Sequence, residues 1–229
     1  VFAADSVPDD GLEHRDSWGT VCVKLPGSPG KHPHVTPENA VVKDVTAWRE
    51  QLKVPALEGL DWSAAREFAA GADRSERFVG LFSAQGLFER SHFPTVWREL
   101  IKPLHAEIVA TAHECGMLFV HHADCICEPI VEDMVEIGID IWQGAIPQND
   151  LPAIQERTGG ELAIIGGIDA PAVDIEHIGE EEIRAEVRRA IDAYCPAGRF
   201  YPSIPSGKCF RAWNDAVVND ELEKYGRRW

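Results

Sequence analysis

One short run, HHADCIC, brings imidazole, carboxylate and thiol groups close together in the chain. Alternate residues of a strand share a face, so His122 and Asp124 are expected on one side and His121 on the other. A His-x-Asp pair at a strand end suits a divalent metal, or a histidine oriented for general acid–base work. Cys125 and Cys127 would add soft ligands that favour zinc. The metal ligands predicted here are His122, Asp124 and Cys125. The alternative is structural: a packed histidine, a helix-capping Asp124 and core cysteines.

Two later segments end in residues that a plain core does not need. Asp169 follows a glycine pair, and Gly166 and Gly167 would let a ligand approach the backbone while Asp169 hydrogen-bonds it or takes a proton. The alternative is a tight turn in which Asp169 caps a helix. Trp142 and Gln143 are predicted to form an aromatic wall and an amide contact for a planar organic ligand. A tryptophan that seals the end of the fold is the alternative there.

Three weaker candidates lie in loops. Lys208 follows a Ser-Gly pair past the last predicted strand, where such a loop could hold an anionic group. Gln85 and Arg90 follow the predicted strand 77–82, and Arg90 could pair with a carboxylate. A solvated loop is the alternative for all three.

The elements that must position these residues alternate regularly from residue 77 onward. The predicted strands are 77–82, 117–121, 139–142, 162–165 and 199–204, and the predicted helices are 94–115 (bent at Pro103), 129–137, 150–158, 180–194 and 212–225. Upstream we predict a strand over 20–25, a helix over 37–52 begun by Thr36 and Pro37, and a helix in WSAAREFAAGA.

This alternation predicts an α/β fold with a parallel sheet whose carboxyl strand ends share one side. Five strands alone would make an open doubly wound sheet. Five plus one or two N-terminal strands approach a (β/α)8 barrel, which we favour because no G-x-G-x-x-G turn follows the first strand. We therefore predict one domain over 1–229, irregular over 1–76 and regular over 77–229.

Composition narrows the function. A formal charge of −16 and a pI near 4.9 argue against nucleic acid and anionic membrane surfaces as partners. No apolar run approaches the roughly 20 residues of a membrane span, and no signal peptide is expected. The six cysteines are too sparse for a disulfide scaffold. We expect reduced thiols in a cytoplasmic protein that acts on a small-molecule substrate.

Three stretches resemble the uroporphyrinogen decarboxylase superfamily: RFVGLFSAQGLFERSHF, the run from HHADC to IIGGID, and RFYPSIPSGKCFRAWNDAVVNDELEKYG. The resemblance covers most of residues 77–226. It implies a distorted (β/α)8 barrel, incomplete in this sequence. It also implies one of two activities: that of a decarboxylase, which needs no cofactor, or that of a methyltransferase that works with a corrinoid protein. Some of these methyltransferases use zinc. Relatives are longer, with additional segments before Val1 and near His92-Phe93.

Carried over residue by residue, His122 matches the histidine of the methyltransferases' H-x-C zinc pair, while Asp124 stands where they have cysteine. Their third ligand falls nearest Ser203, with Cys209 nearby. The exchange implies a harder N/O site, better suited to an ether oxygen or water than to a thiol. The decarboxylase's R-Q-A-G-R run is absent, and its G-H-G turn reads Ser206-Gly207-Lys208.

The resemblance therefore favours methyl transfer between a small methylated donor (ether, amine or thiol) and a corrinoid protein. His122, Asp124 and Asp169 would be catalytic, and Trp142, Gln143, Gly167, Gln85 and Lys208 would contact substrate. Two alternatives stay open: a decarboxylase of porphyrin biosynthesis in which Asp169 stabilises a protonated pyrrole, and a non-catalytic corrin or porphyrin binder. A homodimer is expected.

Overall fold

The computed structural model describes residues 13–16, 19–24, 31–34, 36–53, 61–75, 77–83 and 97–227. The chain divides into two compact units, 1–67 and 68–229. Gln85, Arg90, His92 and Phe93 lie outside the described residues.

The first unit contains a small antiparallel sheet with the order β1-β2-β3. Its elements are β1 (His14–Arg15), β2 (Val21–Lys24), β3 (Lys31–Pro33), a 3-10 turn (Val45–Ala47) and α1 (Trp48–Gln51). The strand predicted over 20–25 is confirmed as β2.

The helix predicted over 37–52 is wrong in its first half. The Thr36 backbone N–H donates to Asn39 Oδ1 at 2.7 Å, and the Asn39 N–H donates to Thr36 Oγ1 at 3.4 Å. These reciprocal bonds are the capping pattern of a helix start, and the Ala40 N–H donates to the Thr36 carbonyl at 2.9 Å, but the chain does not continue this turn as a helix. Helical structure begins only after Asp44, whose carboxylate accepts from the Thr46 N–H at 2.9 Å.

The second unit is built on a parallel five-stranded sheet, in the order β4-β5-β6-β7-β8. The strands are β4 (Gly80–Ser83), β5 (Leu118–His122), β6 (Ile141–Ala145), β7 (Ala163–Gly167) and β8 (Phe200–Ser203). The helices are a π-helix (Trp97–Ile101), α3 (Lys102–Glu114), α4 (Val131–Glu136), α5 (Leu151–Arg157), α6 (Ala170–Val173), α7 (Glu180–Tyr194) and α8 (Ala212–Gly226). The helix α2 (Ser63–Gly71) contains the junction between the units and confirms the prediction in WSAAREFAAGA.

The predicted order of strands and helices in this unit is confirmed, with two differences. The helix predicted to bend at Pro103 changes type instead, from π to α, just before that proline. Pro103 then lies in the first turn of α3, where its missing N–H costs no hydrogen bond. The short helix α6 was not predicted.

One side of this sheet, the covered face, packs against helices. Phe119 and His121 on β5 and Trp142 on β6 are at most 2 % exposed. The rings of Phe119 and His121 lie against His105 of α3, and Phe200 of β8 lies against α7. The covered face therefore holds the core of the second unit.

The opposite side, the open face, alternates with it along every strand. Val120 and Ile141 pair in register and are only partly buried. Phe82 at one edge is 54 % exposed, and Tyr201 at the other is 66 % exposed. Doubly wound sheets are buried on both faces. The described residues of the second unit supply five sequential parallel strands with helices packed against one face.

Two buried histidines lie between α3 and the covered face. His105 and His121 have ring centroids 5.3 Å apart, and both pack edge-on against Trp97. No ring nitrogen of either histidine has a hydrogen-bond partner within the part of the chain that the structure describes. Burial lowers the pKa of His105 to about 4 and that of His121 to about 3. Both rings are therefore neutral at physiological pH.

A register shift between β6 and β7 brings the backbone of Ala145 close to Gly166. Gly166 has φ +146°, and a Cβ built there would overlap the Ala145 carbonyl oxygen. The Ala145 oxygen belongs to the backbone, so it cannot move away through a change of side-chain rotamer. Glycine is required at this position by the close approach of the two strands.

Gly166→Ala is expected to lower the free energy of unfolding by about 3 kcal/mol or more, because strain and overlap add. The matched control is Gly159→Ala, which also has positive φ (+59°) but has no atom within 4 Å of the new Cβ. It should cost only about 1 kcal/mol. The Tm difference between the two variants should be roughly 6 °C. Equal losses in calorimetry would contradict the close strand approach.

None of the described helices is both long and apolar enough to cross a bilayer.

Candidate functional site

The carboxyl ends of the parallel strands β5 to β8 meet at one edge of the sheet. His122 ends β5, Gln143 lies in β6, Asp169 follows β7, and the loop 204–208 follows β8. The predicted alternation is confirmed for the two histidines: His121 is on the covered face and His122 is on the open face.

A hydrogen-bonded chain fixes the His122 ring. His122 Nδ1 lies 2.5 Å from Gln143 Oε1, and Gln143 Nε2 lies 2.8 Å from the Pro205 carbonyl oxygen. A carbonyl only accepts, so the Gln143 amide nitrogen must donate to it and Gln143 Oε1 must face the ring. His122 Nδ1 therefore donates to Gln143 Oε1, and in the neutral ring Nε2 is the nitrogen that can accept a proton.

Two neighbours shape the space for this ring. A Cβ on Gly144 would lie 3.0 Å from two ring atoms of His122, so the glycine leaves room for the imidazole. On the other neighbouring strand, β4, the centroid of the Phe82 ring lies 5.8 Å from that of the His122 ring. The imidazole is thus half-buried at the sheet edge and still reachable by a ligand.

Asp169 is held at the end of β7 through its backbone. Its N–H donates to Glu186 Oε1 at 2.8 Å, and Arg189 grips Glu186 at 2.6 Å while donating to the Gly167 carbonyl at 2.9 Å. Asp169 occupies the N-cap position of α6, but its side chain makes no capping bond. Its buried Oδ1 has no hydrogen-bond partner among the described residues. The backbone of Asp169 is therefore held in place.

Sequence reasoning missed the residues that hold the Asp169 backbone in place. Glu186 and Arg189 are a recognisable i,i+3 pair on the predicted helix 180–194. Their spacing shows that they can pair, but not that they reach Asp169 in a different element. The backbone carbonyl of Pro205 leaves no signal in the sequence at all.

Trp142 lies elsewhere than predicted. Its side chain is fully buried on the covered face, and its Nε1–H donates to the Ala123 carbonyl at 2.8 Å. It therefore cannot line the open face with His122, and the expected aromatic wall is corrected to a core residue that holds the loop after β5. Among the described strand residues, the exposed aromatic side chains on the open face are Phe82 and Tyr201.

The absent side chain of Gly167 also faces the covered side. A Cβ there would lie 2.7 Å from Phe200 and 2.9 Å from Tyr194. Packing therefore explains this glycine, and contact between substrate and its backbone stays a prediction. Lys208 is exposed, with its carbonyl accepting from Ser206 Oγ at 3.1 Å, and its role also stays a prediction.

The predicted metal ligands do not assemble into a site. Asp124 is exposed. The next helical segment is a 3-10 turn (Glu128–Ile130) whose N-cap is Cys127, so helix capping does not explain Asp124 either. Within the described ranges no group of three or more His, Cys, Asp or Glu side chains could hold a metal ion. The zinc prediction is tested by metal analysis of the purified protein.

No family model matches the chain, and no curated protein matches it. Among solved structures it is similar to a methyltransferase from Methanosarcina mazei, at 15 % identity and a TM-score of 0.49. The match covers 71 % of this chain and 46 % of that chain, so this chain spans less than half the length of the methyltransferase. A likeness this distant assigns neither function nor substrate.

The fold and the strand ends together define an α/β protein with a parallel sheet covered on one face. Its candidate site consists of His122, Gln143 and Asp169, at the carboxyl edge of that sheet.

Proposed function

We propose that this protein transfers a methyl group between a small methylated donor and a corrinoid carried by a partner protein. The observation that carries the proposal is the hydrogen-bonded orientation of the His122 ring: Nδ1 donates to Gln143, so Nε2 is the ring nitrogen that can exchange a proton with a ligand. The resemblance of residues 77–226 to corrinoid-linked methyltransferases supplies the reaction class.

His122 would manage the proton of the heteroatom that gains or loses the methyl group. When the methyl group arrives on an O–H, N–H or S–H acceptor, Nε2 accepts the proton that leaves. In the reverse direction the protonated Nε2 returns a proton to the departing heteroatom. Gln143 Oε1 accepts from Nδ1–H in both states and so keeps the ring aligned. The corrinoid would supply the cobalt centre that exchanges the methyl group.

Asp169 would orient the substrate. Its Oδ1 lacks a partner among the described residues, and a substrate N–H or O–H would satisfy it. The Glu186–Arg189 pair holds the Asp169 backbone in place, so substrate binding need not order this part of the chain.

The open face offers apolar contact to a flat macrocycle. Phe82, Val120, Ile141 and Tyr201 lie on it, and the two aromatic rings are more than half exposed. A chain with a formal charge of −16 would favour a partner protein with a basic docking surface.

The test is a methyl-transfer assay with the full chain and reduced cobalamin. Methoxy-aromatic, methylamine and methylthiol donors are offered in turn, and methylcobalamin is followed by absorbance and mass spectrometry. We expect one donor class to be demethylated. Cobalamin binding without turnover of any donor, even with a corrinoid protein present, would contradict the proposal and favour the non-catalytic alternative.

The decarboxylase alternative makes a different demand on the site. A tetrapyrrole polycarboxylate needs several cations, whereas His122, Gln143 and Asp169 provide an imidazole, an amide and a carboxylate. Release of carbon dioxide from uroporphyrinogen in a parallel assay would overturn the methyl-transfer proposal.

A further inference from the structure

Two cysteines beside the candidate site face each other. Cys125 Sγ and Cys127 Sγ are 3.8 Å apart in the loop that follows His122. A disulfide needs about 2.05 Å between its sulfurs, so closure requires a movement of under roughly 2 Å. The spacing of the two residues alone does not show this proximity.

One asparagine holds the two cysteines in this arrangement. The buried Asn149 side chain accepts from the Cys127 N–H at 2.8 Å and donates to the Cys125 carbonyl at 3.0 Å. Because the same amide grips both residues, the short span between them cannot straighten without losing a buried hydrogen bond.

The two thiols differ in access. Cys127 is fully buried, whereas Cys125 is partly exposed. An external reagent therefore reaches Cys125 first, and Cys127 lies behind it as the second thiol.

We propose that Cys125 and Cys127 form a redox-active pair that small-molecule disulfides oxidise to an intramolecular disulfide. The Cys125 thiolate attacks one sulfur of the reagent, which breaks the reagent's S–S bond and releases one thiolate. Cys127 then loses its proton and attacks Cys125 Sγ, which releases the second thiolate. The protein gives up two electrons and two protons, and the reagent becomes two thiols.

The probe is oxidised glutathione, added to the reduced full-length chain, followed by alkylation, proteolysis and tandem mass spectrometry. In the unmodified protein we expect the Cys125–Cys127 disulfide, reversed by dithiothreitol. In Cys127→Ser a glutathione adduct should accumulate on Cys125, because the second thiol is missing. In Cys125→Ser no adduct should form on the buried Cys127.

The matched control is Cys115→Ser, which removes another partly exposed thiol ten residues before Cys125 in the chain. It should leave the Cys125–Cys127 disulfide unchanged. Thermal melts check that each variant folds, and the experiment on the unmodified protein needs no variant. If glutathione adducts appear on Cys115 and Cys195 while Cys125 and Cys127 stay alkylated as separate thiols, the proposal is overturned.

Discussion

His122→Asn is expected to lower the methyl-transfer rate by about 10²- to 10⁴-fold, the usual contribution of a positioned acid–base group. Asparagine keeps a polar side chain near Gln143 but has no nitrogen that can take a proton. The loss should fall mainly on kcat, since the side chain acts on the proton and contributes little to substrate binding. Initial rates over a range of donor concentrations measure this split.

The matched control is His177→Asn, which makes the same exchange at a histidine outside the candidate site. Its side chain is 90 % exposed and lies 3.5 Å from the neighbouring Glu176. Asparagine also tolerates the positive φ of this position (63°). The control should retain full activity, and equal rates in the two variants would remove His122 from the mechanism.

The second large effect is a loss of stability in mild acid, driven by His105 and His121. Their folded-state pKa values, about 4 and about 3, lie below the unfolded value near 6.5. The unfolded chain therefore binds protons first as the pH falls, so stability that is complete above pH 6.5 is lost below it. Each histidine costs about 2 kcal/mol at pH 5, and the pair about 4 kcal/mol.

Urea unfolding at pH 7.5 and pH 5.0 measures this loss for each protein against itself. His121→Leu should reduce the loss by about half, whatever its effect on stability at neutral pH, because one titrating group is gone. His177→Asn should show the full loss. Carboxyl groups with lowered pKa values, such as Asp133 and Glu221, take up protons only at lower pH. They therefore contribute little to the loss of stability between pH 7.5 and pH 5.0. An unchanged loss in His121→Leu would show that the buried pair does not control acid stability.

Much of the second unit could be predicted because its helices and strands are locally encoded. The acidic first turn and apolar stripe of Glu180–Tyr194 predicted that helix with its observed bounds. The N-terminal unit was harder, because Thr36 and Asn39 cap a turn that the following residues do not continue as a helix. A capping pattern marks where a helix can begin and does not fix how far it extends.

The site was predicted in part for the same reason. Strand alternation separated His122 from His121 correctly. It could not place Trp142, because its face depends on which side the helices cover, a property of the whole sheet rather than of one strand. The register that sets His122 beside Gln143 also depends on tertiary structure. Nothing in the sequence indicates that His122 and Gln143 are hydrogen-bond partners.

The measurement that bears most directly on this account is the protonation of the His122 ring, read by long-range nitrogen–proton NMR at neutral pH. Assignment comes from the signals lost in His122→Asn. In the neutral ring we expect the proton on Nδ1, and a change in the Nδ1 signal when Gln143 is replaced by leucine. A neutral ring protonated on Nε2, or an Nδ1 signal that does not change in Gln143→Leu, would contradict the proposed role of His122.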